Sequence, residues 1–165
     1  MKITSVEEYG LRCLLQVGKA SGDAPVSSSE VAAEEGISEA YAQKLLRMLA
    51  HGGLVESRRG AQGGYVLARP ADQITLGAAI RVLGGVIELD HVCGKHTGEF
   101  DVCSNAGNCS IRPVWSYLSE FVVRTFDAIP LSMLMQDEQR VADRLLEMVP
   151  GAYAAGGEND VVASA

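Results

Sequence analysis

At 165 residues, 47% apolar and 21% charged, the chain has room for one folded domain with a proper core, or a small domain with an appendage, and no apolar run approaches the roughly 18 residues of a membrane span. The polar helical pattern at MKITSVEEYG predicts no signal peptide and a cytoplasmic location. A net charge of −7 argues against a general nucleic-acid coat, but residues 38–69 carry Lys44, Arg47, Arg58, Arg59 and Arg69 against Glu39 and Glu56, a local +3 in a chain otherwise at −10.

In chain order, residues 3–19 predict a first helix with Ile3, Val6, Leu11, Leu14, Leu15 and Val17 on its apolar face and Cys13 among them as a small core residue. SGDAP (21–25) is a loop by composition. Ser27 and Glu30, three apart, form a capping box for a short helix through about Glu35, and Gly36 suits the left-handed residue that ends it. Ser38 is the expected N-cap of a third helix running to about His51. Two short helices joined by a few residues that include Gly make a helix-turn-helix.

On the third helix Tyr41, Ala42, Leu45, Leu46 and Leu49 form the inner face and leave Ala40, Gln43, Lys44 and Arg47 outward. A recognition helix needs small or hydrogen-bonding residues near its start and cations further along. Gln43 has the chemistry for a bidentate contact to adenine, and Lys44 and Arg47 for phosphates. By itself this face serves equally as a solvated surface. The next stretch favours DNA: LVESR (54–58) and YVLAR (65–69) flank a Gly-rich turn, predicting a β-hairpin wing with Arg58, Arg59 and Gly60 at or near its tip. Arg59 there can enter a minor groove. The turn lacks the Walker pattern and precedes a strand, which weighs against a nucleotide cradle.

Thr75 should cap a short helix with Leu76, Ile80 and Leu83 inward. Then comes Cys93–Cys109, CGKHTGEFDVCSNAGNC, with three of the four cysteines in seventeen residues and almost no apolar side chain besides Phe100 and Val102. Packing cannot order such a loop, whereas three thiols on a metal centre can. Pro113 marks the start of a long helix whose Val114, Leu118, Phe121, Val122, Thr125 and Ile129 recur at 3–4 spacing, widened by Trp115, Tyr117 and Phe126. That is more apolar surface than one small domain covers, and it points to a partner, most simply a second copy. Pro130 breaks the helix, residues 131–149 predict another capped by Ser132, and the tail from Pro150 lacks periodicity.

Four segments carry a resemblance to a known family: MKITSVEEYGLRCLLQV, GISEAYAQKLLRMLAHGGLVESRRGAQGGYVLARP, the cysteine loop with its Trp-bearing helix, and AIPLSML. Over about residues 1–137 the chain resembles the Rrf-two superfamily of bacterial transcription regulators, of the iron–sulfur-sensing IscR/NsrR-like kind, with ESRRGAQGGYVL the most specific segment. The resemblance implies a mainly α fold: a winged helix-turn-helix with a β-hairpin wing plus a long dimerisation helix. With the residue pattern beyond 137 added, the chain divides into a DNA-binding domain (1–83), a cluster-binding loop (84–112), the dimerisation and C-terminal helices (113–149) and a tail (150–165) whose composition predicts disorder.

The resemblance further implies a homodimer on a palindromic double-stranded DNA operator, no membrane, no enzymatic activity, and a [2Fe-2S] or [4Fe-4S] cluster on Cys93, Cys103 and Cys109. Here nine and five residues separate those cysteines, a longer first interval than the family pattern. Arg112 stands where some members have a ligating histidine, and an always-protonated guanidinium cannot ligate. Other members use a carboxylate at the position matched by Glu8, the favoured fourth ligand, ahead of His91, His96 and Glu7. The DNA contacts implied are Ser38, Ala40, Tyr41, Gln43, Lys44, Arg47, Arg58, Arg59 and Gly60. The competing reading keeps the regulator and replaces the cluster with a thiol switch, or with zinc on Cys93, His96, Cys103 and Cys109.

Overall fold

In the computed structural model the described residues are 3–20, 24–60, 63–85, 97 and 99–148. They fall into two compact units, Met1–Met135 and Gln136–Ala165.

The first helix, α1, spans Ser5–Lys19. Thr4 starts it: its side chain accepts from the Glu7 N–H while the Glu7 carboxylate accepts from the Thr4 N–H. Ile3 therefore lies ahead of the helix, 61% exposed, and not on its apolar face as expected. The buried face is Gly10, Cys13, Leu14 and Val17. Gly10 permits close packing, since a Cβ there would overlap the side chain of Leu83.

Helix α2 (Ser28–Glu35) carries the expected Ser27/Glu30 box, and Gly36 ends it at φ 64°. Helix α3 (Glu39–His51) begins at Ser38, whose hydroxyl accepts from the Tyr41 N–H at 3.3 Å. Leu14 of α1, Val31 of α2, and Leu45, Leu46 and Leu49 of α3 are fully buried together. Each such burial contributes about 1.5–3 kcal/mol.

Strands β1 (Val55–Arg58) and β2 (Gly64–Leu67) pair antiparallel, with Val55 opposite Leu67 and Arg58 opposite Gly64. Val26, from the loop before α2, adds a bridge to Tyr65 through N–H···O bonds of 3.0 and 2.8 Å. Gly64 is required there, because a Cβ would run into the Val26 backbone. The wing is thus bonded at its base to the segment that leads into the helix-turn-helix.

After a 3-10 turn at Ala71–Gln73, Thr75 caps α4 (Leu76–Val82) as expected. Its deepest residues are Gly77 and Ala79, followed by Leu83; Leu76 and Ile80 are only half-buried. The long helix α5 spans Arg112–Ala128, with Pro113 in its first turn.

The expected single helix over 131–149 is instead two elements: a one-turn α6 (Leu131–Leu134) and α7 (Glu138–Met148). Ser132 is not a cap. Pro130 precedes α6, Leu131 and Met133 are buried, and the Leu131 N–H is bonded to Ile74 C=O at 2.7 Å, which ties the turn to the core. Asp137 starts α7, its carboxylate accepting from the Arg140 N–H at 3.0 Å. The tail read as disordered, and Cys93, His91 and His96, lie outside the described residues.

Candidate DNA-binding face and cysteine centre

Three of the expected DNA-contact residues on α3 are exposed: Ala40, Lys44 and Arg47. Ala40, small and near the start of the helix, leaves room for a close approach. Ser38 is exposed but its hydroxyl is committed to the cap. Tyr41 is half-buried and packs edge-on against Tyr9, ring centroids 6.1 Å apart, so its ring belongs to the α1–α3 contact.

Gln43 differs most from expectation. It is half-buried, its amide N–H donates to Glu39 Oε1 at 3.1 Å and Ser28 Oγ at 3.4 Å, and its carbonyl accepts from Arg47 at 3.1 Å. Glu39, Gln43 and Arg47 form a ladder at helical i, i+4 spacing, with Ser28 of α2 joining at one end through its own bond to Glu39. Sequence reasoning passed over Ser28 and Glu39. The four-residue spacing of Glu39, Gln43 and Arg47 was the available signal; the reach of Ser28 across from α2 was not readable without the fold. The ladder ties the Arg47 guanidinium back along the helix to Gln43, and Gln43 must exchange its internal bonds for any contact to a base.

On the wing, Arg58, Arg59 and Gly60 are exposed, and Gly60 takes φ 127°, a conformation that disfavours any side chain. Its carbonyl accepts from the Gly63 N–H at 2.9 Å, which closes the turn. The structure therefore brings two cationic elements, Lys44 with Arg47 and Arg58 with Arg59, onto exposed parts of one winged unit.

Cys103 and Cys109 are free and half-buried. They sit on a chain of tight turns, with Ala106 N–H bonded to Cys103 C=O at 2.9 Å and Asn108 N–H to Asn105 C=O at 3.2 Å. Arg112, in the place of a ligating histidine, instead donates to Ala106 C=O at 2.8 Å and pins the turn between the two thiols. Among the described residues no three His, Cys, Asp or Glu side chains come together as a metal site.

Glu8 is exposed on α1 and paired with Arg12, Nη2 to Oε1 2.7 Å. Arg12 also lies over the Tyr9 ring and 3.9 Å from Glu35, a largely buried carboxylate that accepts from Gln16 at 2.6 Å. The fourth thiol, Cys13, is fully buried; desolvation, reinforced by the nearby Glu35 charge, pushes it up to about 11 and removes it from thiolate chemistry at neutral pH.

A family model described as Rrf2, iron-dependent transcriptional regulator, matches residues 3–137. The chain belongs to the Rrf2 family. It is 33% identical over 146 residues to the HTH-type transcriptional regulator IscR of Yersinia pseudotuberculosis, covering 87% of this chain and 86% of that one. Among solved structures, CymR (YrzC), the global cysteine regulator of B. subtilis, is 32% identical with a TM-score of 0.67, over 83% of this chain and 99% of that one. T. potens IscR is 30% identical with a TM-score of 0.61, over 94% of each chain. This Rrf2 chain is accordingly a transcription regulator of the DNA-binding winged-helix kind and not an enzyme. No described helix is long and apolar enough to cross a membrane.

Proposed function

We propose that this Rrf2 regulator binds a palindromic operator as a homodimer, and that an iron–sulfur centre on Cys93, Cys103, Cys109 and Glu8 controls its affinity in response to nitric oxide, redox state or cluster supply. The observation that carries the reading is the pair of free thiols on one pinned turn directly ahead of α5. The donors present fit the group: thiolate is the ligand iron–sulfur centres use, and the exposed Glu8 carboxylate is accessible to a partner subunit. When bound, such a centre supplies a redox-active iron whose one oxygen ligand exchanges more readily than thiolate.

The chain's own residues give that centre a route to the DNA face. Glu8 holds Arg12, and Arg12 stands between Glu8 and Glu35 at the end of α2, where Gly36 opens the turn into α3. A change in what Glu8 holds alters the partner of Arg12, and with it the charge balance at the helix-turn-helix. In the DNA complex, Ala40 lets α3 into the major groove, Gln43 reads a base, Lys44 and Arg47 hold phosphates, and Arg58, Arg59 and Gly60 bring the wing to the backbone and minor groove.

The first test is the visible spectrum of protein purified without oxygen, with iron and sulfide assayed on the same sample. A coloured protein with matched iron and sulfide is expected, and Cys103→Ala or Cys109→Ala should abolish the absorbance. Full absorbance in both variants would sink the cluster reading. For the DNA face, Arg59→Ala should weaken all sequences alike and lower the salt slope by about 1, whereas Gln43→Ala should relax specificity at one base.

Likeness to CymR, whose relatives include one solved in an oxidized form, supports a second reading in which the same thiols form a redox switch, with zinc on those thiols as the other cluster-free arrangement. Stoichiometric zinc in a colourless anaerobic preparation would favour zinc, and a disulfide mapped only after peroxide would favour the switch.

A further inference from the structure

We propose that Glu39 is a specificity-determining residue for the operator: its carboxylate selects a cytosine in the major groove, close to the base that Gln43 reads. The inference rests on the reading above that α3 enters the groove, and needs neither the cluster nor the dimer.

Glu39 is the first residue of α3 and is exposed beside the small Ala40. Two donors reach its side chain, the Ser28 hydroxyl at 3.2 Å and the Gln43 amide at 3.1 Å, and both end on the same oxygen, Oε1. Among the described residues no donor reaches Oε2, and no Lys or Arg stands within ion-pair distance of the carboxylate. One oxygen is thus tied across to α2 and along α3, which orients the group. The other is an open acceptor.

A carboxylate accepts hydrogen bonds and cannot donate them. In the major groove, cytosine N4 and adenine N6 are the base donors, whereas guanine and thymine present acceptors that repel a carboxylate. Adenine sets its N7 acceptor beside its donor, which suits an amide. Cytosine is the base that suits Glu39. Phosphates repel the side chain too, so it cannot serve as a backbone contact.

An anion at the front of a recognition helix lowers affinity for every sequence that leaves it unmatched, and so discriminates by exclusion as well as by contact. Gln43 lies one turn further on, about 6 Å along the axis, or between one and two base-pair rises of about 3.4 Å. The two side chains therefore read base pairs within two steps of each other. Glu39 also complements the helix dipole and anchors the ladder, but those roles act alike on all DNA.

The test selects duplexes from a randomised DNA library with the full chain, purified without oxygen, and with its Glu39→Gln, Glu39→Ala and Gln43→Ala variants. Affinity is then measured for the selected site with each base pair changed in turn. Wild-type protein should select a cytosine within two base pairs of the position that Gln43→Ala relaxes, and lose about tenfold or more when that cytosine is replaced. Glu39→Gln keeps an acceptor for Ser28 and Gln43 but turns the other oxygen into a donor, so the preference there should move to adenine. Glu39→Ala should accept all four pairs within about threefold and bind the replaced sites tighter than wild type does. Base preferences unchanged in both Glu39 variants, or an affinity changed by the same factor at every sequence, would overturn the assignment.

Circular dichroism on the same samples shows which variants are folded, and should Glu39→Ala not fold, Glu39→Gln decides alone. If Gln43→Ala relaxes one base while the Glu39 variants alter none, this inference alone falls. If no α3 variant alters any base preference, the reading of α3 as the recognition helix falls with it.

Discussion

Leu45 on α3 and Leu118 on α5 are both leucines set at helical spacing among other apolar residues, yet Leu45 has no exposed surface and Leu118 keeps 39% of its own. The same contrast runs through the two regions they stand for. In the winged domain α1, α2 and α3 close around one another, and Leu14, Val31, Leu46 and Leu49 vanish from the surface. On α5, Val114, Trp115, Tyr117 and Phe121 remain between 37% and 69% exposed, and the turn before it carries Cys103 and Cys109 with little to pack on. One region is complete as a single chain. The other leaves large apolar side chains in water, at a cost of about 25 cal/mol for each Å² that a partner would cover.

The comparison can be broken most directly by truncation. Leu45→Ala should destabilise the fold by about 2–5 kcal/mol in urea unfolding, whereas Leu118→Ala measured on dilute monomer should cost under about 1 kcal/mol. Equal losses would mean that α5 is as well covered as α3. Placing a charge on the open face, Phe121→Glu, should raise the dissociation constant of the proposed dimer by roughly a hundredfold in sedimentation while leaving the helical signal intact.

Thiol labelling sharpens the same contrast. Iodoacetamide at pH 8 should modify Cys103 and Cys109 in the native metal-free protein. It should reach Cys13 at least about tenfold more slowly until denaturant is added, because a buried thiol raised to about 11 is almost wholly protonated. Peptide mass mapping checks this, and rapid labelling of Cys13 would show that the winged core opens readily.

The smallest effect concerns Glu30, whose carboxyl is held below its ordinary range by bonds from the Ser27 hydroxyl and then the Ser27 N–H. A depressed carboxyl stabilises the fold above its unfolded value, and that contribution is lost as pH falls through the lowered folded value. Glu30→Gln should therefore lower stability slightly near neutrality, flatten the acid limb of the stability–pH curve, and converge with wild type at low pH. An unaltered acid limb would show that the capping box contributes nothing through charge.

Much of the winged domain was legible in residue order because its signals are local. Ser27 with Glu30, Gly36, Ser38, Thr75 and the Gly-rich turn after Arg59 each act within a few positions of themselves, and each stands where expected. Misreadings came where a distant partner decided. The 131–149 pattern is periodic enough for one helix, but Pro130 and the backbone bond from Leu131 to Ile74, across fifty-odd residues, set a one-turn helix against the core, and Asp137 starts the next. Gln43 has the spacing of an outward residue, yet Ser28 on the neighbouring helix holds it. Arg112 could be recognised from the sequence as unable to ligate metal, but not as the residue that pins the cysteine turn.

Residue order alone determined that this chain carries a helix-turn-helix, a cationic wing, a thiol-rich loop and a helix with too much apolar surface, since each follows from periodicity, capping or composition within a short window. Tertiary structure decided what those pieces touch: the bridge from Val26 to the wing, the ladder through Gln43, the reach of Arg12 toward both Glu8 and Glu35, and the Arg81–Asp127 pair that joins α4 to α5. Such contacts join residues many positions apart, and nothing in local spacing says which of many polar side chains will meet once the core has closed.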